Sequence, residues 1–188
     1  MLNHKEGQIL VAILFFILSL AIVSIVFYSM SYGISPMPSS SKAKKALLQA
    51  IPTEIQGKIF ELGSGWGTLA FAIAKRCPQC LVYAYEISIV PWLISRLIQS
   101  QLQLNNLFIL RRDFFKVSLV EANLIVCYLY PGAMSKLKQK FEAELKPGTM
   151  VISHTFAVPG WTPLKIYQLN DLYKTLIYIY LLDSCYTS

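Results

Sequence analysis

The residues best suited to chemistry lie between positions 58 and 86. Lys58-Ile59-Phe60-Glu61-Leu62 is a short apolar run carrying one acid, and it suits a buried strand. Gly63, Gly65 and Gly67 follow at alternate positions, with Ser64 and Trp66 between them. Thr68 to Arg76 is then alanine-rich and reads as a helix. A strand, a glycine turn and a helix start together make a nucleotide site. The free N–H groups and dipole of the helix start favour negative charge, and the glycines let the backbone turn sharply against a ligand. Leu81 to Glu86 reads as a second strand ending in an acid, 19 residues past Gly67. An acid about 20 residues beyond such a loop can accept hydrogen bonds from ribose hydroxyls. Each signal alone has a plainer reading: the glycines as an ordinary strand-to-helix turn, Glu86 as an acid at the next helix start before Ser88. Together they point to a nucleoside-type cofactor.

The spacing separates ligands. A dinucleotide fingerprint reads G-x-G-x-x-G. Here Gly67 falls one residue early for that pattern, which counts against a nicotinamide-binding oxidoreductase. Glu61-x-Gly63-x-Gly65-x-Gly67 instead resembles motif I of the Rossmann-like S-adenosylmethionine (SAM) methyltransferases. That resemblance implies SAM as cofactor. It implies Glu61 near the methionine moiety, Gly63, Ser64, Gly65 and Gly67 along the cofactor, and Glu86 on the ribose. By position after the third strand, it implies Asp113 at the adenine amino group and Phe114 over the ring. Asp113 could equally be a loop acid paired with Arg111 or Arg112.

Further elements must position these residues. Ser88 to Gln103 reads as a helix with Ser88 as cap and Pro91 in its first turn. Its Trp92, Leu93 and Leu97, and Leu104 beyond, recur at helical spacing and are expected in the core. Leu107–Leu110 is the third strand and Ala122–Pro131 covers the fourth. Leu129-Tyr130-Pro131-Gly132 departs from the D/N-P-P-Y/F signature of amino methyltransferases acting on bases, so methylation of DNA bases is disfavoured. Ala133–Leu145 is a helix with Met134, Leu137, Phe141 and Leu145 on one face. Thr149–Ser153 is a fifth strand, and Leu164–Leu169 and Thr175–Leu182 can pair as a hairpin. The expected fold is α/β: a Rossmann-like, doubly wound, mostly parallel sheet with a C-terminal antiparallel hairpin, preceded by one transmembrane helix.

The apolar share of 55% exceeds the usual range of about 45–50%, and the N-terminus explains much of the excess. Gly7 to Gly33 carries no charge. About 20 apolar residues cross a bilayer, so residues 1–34 are read as an anchor spanning about 9–30. The apolar run is too long for a cleavable signal peptide. Residues 35–41 are a linker and 42–188 the methyltransferase domain. Lys42, Lys44 and Lys45 follow the span while Lys5 stands beside Glu6 before it, which places the domain in the cytoplasm. The net charge of +7 comes without an arginine-rich or aromatic-interleaved patch, so no nucleic-acid partner is expected. No metal-ligand cluster is visible. Cys77-x-x-Cys80 sits at a helix end rather than a helix start, which counts against a redox pair, and Cys127 and Cys185 form no second pair. A cytoplasmic domain keeps all four thiols reduced.

A narrower resemblance rests on the anchor, Glu61-Leu62-Gly63-Ser64-Gly65, Tyr85-Glu86 before Pro91-Trp92-Leu93, Pro131, and Phe156…Pro159-Gly160-Trp161-Thr162-Pro163. The chain resembles the small membrane-anchored protein-lysine methyltransferases whose eukaryotic members modify mitochondrial carrier and ATP synthase c subunits. Trp66 departs from that pattern, where an acid or small polar residue is common. The resemblance implies transfer to a lysine of a membrane-associated protein at the bilayer. Methyl transfer needs alignment, a dry cleft and a neutral amine. Tyr128, Tyr130 and Trp161 are candidates for an aromatic wall around the lysine, and His154 for a proton acceptor. His154 could instead be a loop histidine bonded to backbone, and Trp161 could be packing. Methylation of a lipid head group or membrane quinone, and a non-catalytic membrane scaffold, are the alternative functions.

Overall fold

The computed structural model describes residues 4–32 and 41–183. The expected linker, apart from Ser41, and Cys185 lie outside them. Helix α1, His4–Tyr32, is long and apolar enough to cross a bilayer. Helix α2 is Ser41–Ala50. The chain then alternates: β1 Gly57–Leu62, α3 Thr68–Arg76, β2 Cys80–Glu86, α4 Ile89–Leu102, β3 Leu107–Arg111, β4 Ala122–Cys127, α5 Pro131–Glu144 and β5 Met150–His154. A hairpin of β6, Lys165–Gln168, and β7, Leu176–Leu181, completes it.

The seven strands form one sheet in the order β3-β2-β1-β4-β5-β7-β6. The first five are parallel, and β7 runs antiparallel to both β5 and β6. The fold is the doubly wound sheet expected from the sequence. Successive side chains of a strand point to opposite faces. Ile59 and Val82 therefore join Leu47, Ile73 and Leu107 under α2 and α3, while Phe60 and Ile125 join Leu137, Phe141 and Tyr180 under α5. From β1 the chain winds outward through β2 and β3, then returns to place β4 on the other side of β1. That reversal opens a crevice at the carboxyl ends of β1 and β4, the usual ligand position in open α/β sheets.

Two boundaries moved for physical reasons. The fourth strand stops at Cys127, and α5 begins at Pro131 rather than Ala133. Proline suits a first helical position because its φ is already helical and it has no N–H to leave unpaired. The expected buried face of α5 holds: Met134, Leu137, Phe141 and Leu145 are buried. Asn106 acts as a clasp. Its Nδ2 donates to the carbonyls of Ala74, Cys77 and Cys80, each at 3.1 Å, tying the end of α3 to the start of β2.

Helix α4 overturns an expectation. Leu93 and Leu97 are not core residues but 48% and 61% exposed, while Trp92 and Leu104 are partly buried. The buried side of α4 is Pro91 and Ser95. A β-carbon added to Gly67 would lie 3.0 Å from Ser95 Cβ and 2.9 Å from Phe71 Cζ. The glycine loop and α4 thus approach too closely for a leucine between them. Gly67 also has φ of 76°, where a side chain is strained. Gly67→Ala is expected to cost roughly 2 kcal/mol or more, read as a lowered midpoint in denaturant.

Candidate active site

The glycine loop is stitched to the end of β2. Gly63 N and Ser64 N both donate to the Tyr85 carbonyl at 2.9 Å. Gly65 N donates to Glu86 Oε2 at 2.8 Å, and Ser88 N donates to Glu86 Oε1 at 2.7 Å. Ser88 is the N-cap of α4, but its own side chain makes no cap hydrogen bond; Glu86 serves the helix start instead. The second-strand acid therefore fixes both the loop and the helix start, and each oxygen keeps a second lone-pair direction for a further donor. Gly63, Gly65 and Gly67 have φ of 78°, 53° and 76°, conformations that explain glycine at these alternate positions.

Glu61 lies behind this loop, buried, with Oε2 lacking a hydrogen-bond partner. Burial and then the Glu86 carboxylate push its pKa up from 4.5 to about 8. Ser64 Oγ is likewise buried and unpartnered. A buried carboxyl without a partner is costly, and the group that resolves it is a cation or donor arriving in the crevice. SAM carries both a sulfonium and an ammonium, so the residues present fit it. Asp113 accepts from Phe115 N at 2.9 Å and caps the short 3-10 turn Phe114–Lys116. Among the described residues it forms no ion pair with Arg111 or Arg112. Phe114 is buried, with its ring 3.9 Å from where a Gly63 β-carbon would stand. Its ring thus packs against the glycine loop.

On the other side of the crevice, β4 and β5 bring Tyr128, Tyr130 and His154 to the same carboxyl end of the sheet. Tyr130 is the N-cap of α5, and its ring folds over Gly132, where a β-carbon would meet it at 2.6 Å. The Tyr128 and His154 rings meet edge to face at 4.3 Å. Thr155 Oγ1 lies 3.1 Å from His154 Nδ1, and His154 Nε2 is buried without a partner. Burial drives the His154 pKa down to about 4, with Asp171 opposing weakly, so the imidazole is neutral at physiological pH. Thr155 has φ of 70°, an outlier for a β-branched residue, and its N–H donates to the Leu176 carbonyl at 2.7 Å. No sequence signal marks that strained position.

Trp161 takes the packing place, one of its two expected readings. It is 6% exposed, packs on Phe141 and Tyr180 at 6.0 and 5.7 Å, and donates Nε1 to Glu142 at 3.1 Å. Its bulk joins the core under α5. The described cysteines are free thiols; burial of Cys127 raises its pKa to about 12, so it stays protonated and unreactive.

A seven-stranded sheet of this order, with the acid–glycine loop after β1 and an acid ending β2, is the Rossmann-like methyltransferase fold, and the family match makes the chain a SAM-dependent methyltransferase domain. The ANTKMT methyltransferase domain model matches residues 61–165, and the chain belongs to that family. A protein-lysine N-methyltransferase of Saccharolobus islandicus is 28% identical over 72% of the chain and 84% of its own length. The adenine nucleotide translocase lysine N-methyltransferase of Mus musculus is 33% identical over 58% of the chain. The lysine N-methyltransferase of Mus musculus named for the ATP synthase c protein is 28% identical over 68% of it. The chain spans about half the length of these two mouse relatives, 48% and 51%. In fold it matches an RNA methyltransferase of Salinibacter ruber with S-adenosyl-L-homocysteine bound. The TM-score is 0.70 at 22% identity, over 79% of this chain and 95% of that one.

Proposed function

We propose that this chain moves the methyl group of SAM to the ε-amine of a lysine on a membrane-associated protein, with α1 holding the enzyme to the bilayer. The observation that carries the reading is Glu86 joined to the glycine loop beside buried Glu61, on a chain of this family. Relatives named for lysines of a translocase and of an ATP synthase component support the acceptor. Lys42, Lys44 and Lys45 after α1 support a cytoplasmic domain.

When bound, SAM supplies a methyl carbon already activated by a positive sulfur. Glu86 would hold the ribose, Glu61 would counter the cationic groups, and the glycine backbone would let the cofactor lie close. The lysine must lose a proton before its lone pair can attack. Neutral His154 can accept a hydrogen bond at Nε2, but a base of pKa about 4 does not retain the proton, which passes to solvent. Tyr128 and Tyr130 offer aromatic walls for the ammonium before that loss. The rate therefore rises with pH toward the lysine pKa, and the profile has no inflection at the ordinary histidine value of 6.5. Such an inflection in kcat would overturn the neutral role of His154.

The acceptor is tested by incubating radiolabelled SAM and the full chain with membranes, then separating protein from extracted lipid. Label recovered as methylated lysine is the expected result. Label confined to the lipid phase would replace this reading with a head-group or quinone acceptor. Failure of the folded chain to bind SAM would leave a scaffold.

A further inference from the structure

The outward face of α4 inverts the usual helix pattern. Ile89, Leu93 and Leu97 form one row at successive turns, and Ile94 and Ile98 a second, all exposed. Pro91 and Ser95 face the domain. A surface helix normally does the reverse, with its apolar stripe on the core. Charge sorts in the same direction. Residues 87–112 contain no aspartate or glutamate and three arginines, Arg96, Arg111 and Arg112, all exposed. Helix α5, across the sheet, instead turns Ser135, Lys136 and Gln139 to solvent and carries the half-buried pairs Lys138–Glu142 and Lys140–Glu144. Finally, α1 touches α4.

From these observations we infer that α4 lies in the bilayer interface beside α1, its aliphatic rows among acyl chains, with Arg96 on the helix and Arg111 and Arg112 at the end of β3 meeting anionic head groups. An aliphatic helix stripe in a segment whose only charges are basic has the composition of an interfacial element. The inference rests on the reading of α1 as an anchor. It also deepens the proposed function. Ile89 follows Glu86 by three residues, so the stripe begins at the cofactor crevice. Such docking holds the crevice at head-group level and selects acceptor lysines at the membrane surface over those on soluble loops.

The test reconstitutes the full chain in phosphatidylcholine vesicles containing phosphatidylserine and a phospholipid with a diazirine on its acyl chain. After irradiation, tryptic peptides are read by mass spectrometry. Lipid adducts are expected on the α1 peptide, residues 6–42, and on the α4 peptides, residues 77–96 and 97–111. The peptide of residues 141–165, which carries part of α5, should stay clear. In a Leu93→Ser, Leu97→Ser variant the α4 adducts should fall roughly tenfold while SAM binding is unchanged, because both side chains already face outward. Adducts on α1 with none on α4 would overturn the inference and leave the anchor standing. Adducts on neither would sink both. Undiminished α4 labelling in the double variant, or cross-links between two copies through α4 in place of lipid adducts, would also overturn it.

Discussion

Glu61→Gln will stabilise the ligand-free protein and weaken its grip on SAM. The Glu61 carboxyl rises from 4.5 to about 8 on folding, mainly through burial. Between those values the folded state binds a proton that the unfolded chain does not. Its contribution to stability is therefore full below about pH 4.5, falls as pH rises, and levels off above about 8. Glutamine is neutral at every pH and removes this loss. At pH 8 the gain should be on the order of 2 kcal/mol, a rise of several degrees in Tm, since the amide keeps some cost of an unpartnered polar group. SAM binding should behave oppositely. A cation facing Glu61 favours the carboxylate, so binding expels the proton. Affinity should strengthen by up to about tenfold per pH unit below about 8 and then flatten. The glutamine variant should bind more weakly and without that slope. Calorimetry across pH in buffers of differing ionisation enthalpy reads both affinity and proton release. A flat wild-type profile would show that Glu61 is already ionised before SAM arrives.

At Glu86 the usual conservative exchange should fail. Both carboxylate oxygens already accept backbone N–H groups, from Gly65 at 2.8 Å and Ser88 at 2.7 Å. An amide must turn its NH2 against one of those donors. Glu86→Gln should therefore lose SAM affinity nearly as far as Glu86→Ala, about a hundredfold in each case, because both free the glycine loop as well as removing a ribose acceptor. Retention of near wild-type affinity by the glutamine variant would mean that the loop is held by its other contacts, chiefly the bonds of Gly63 and Ser64 to Tyr85.

Much of the cofactor half was legible in the sequence because local rules produce it. A glycine at positive φ, an acid ending a strand and an alanine-rich helix are dictated within a few residues of themselves. The doubly wound class was legible because alternation of strands and helices leaves few right-handed windings. What escaped depends on distant contacts. Leu93 and Leu97 read as core because spacing reveals a stripe but not which way it faces; Ser95 against Gly67 decides that. Trp161 read equally as an aromatic wall or as packing, because spacing alone does not say what surrounds it. Its partners Phe141 and Tyr180 lie on α5 and β7, far off in sequence. The strain at Thr155 has no local cause either; its backbone is bound to Leu176.

The outward leucines of α4 carry a practical consequence. A fragment starting at Ser41 loses α1 but keeps Ile89, Leu93 and Leu97 bare to water. Removing the anchor is then not enough to yield a well-behaved aqueous preparation. Such a fragment should self-associate and elute early in gel filtration, and serines at 93 and 97 should restore monodispersity without touching the crevice.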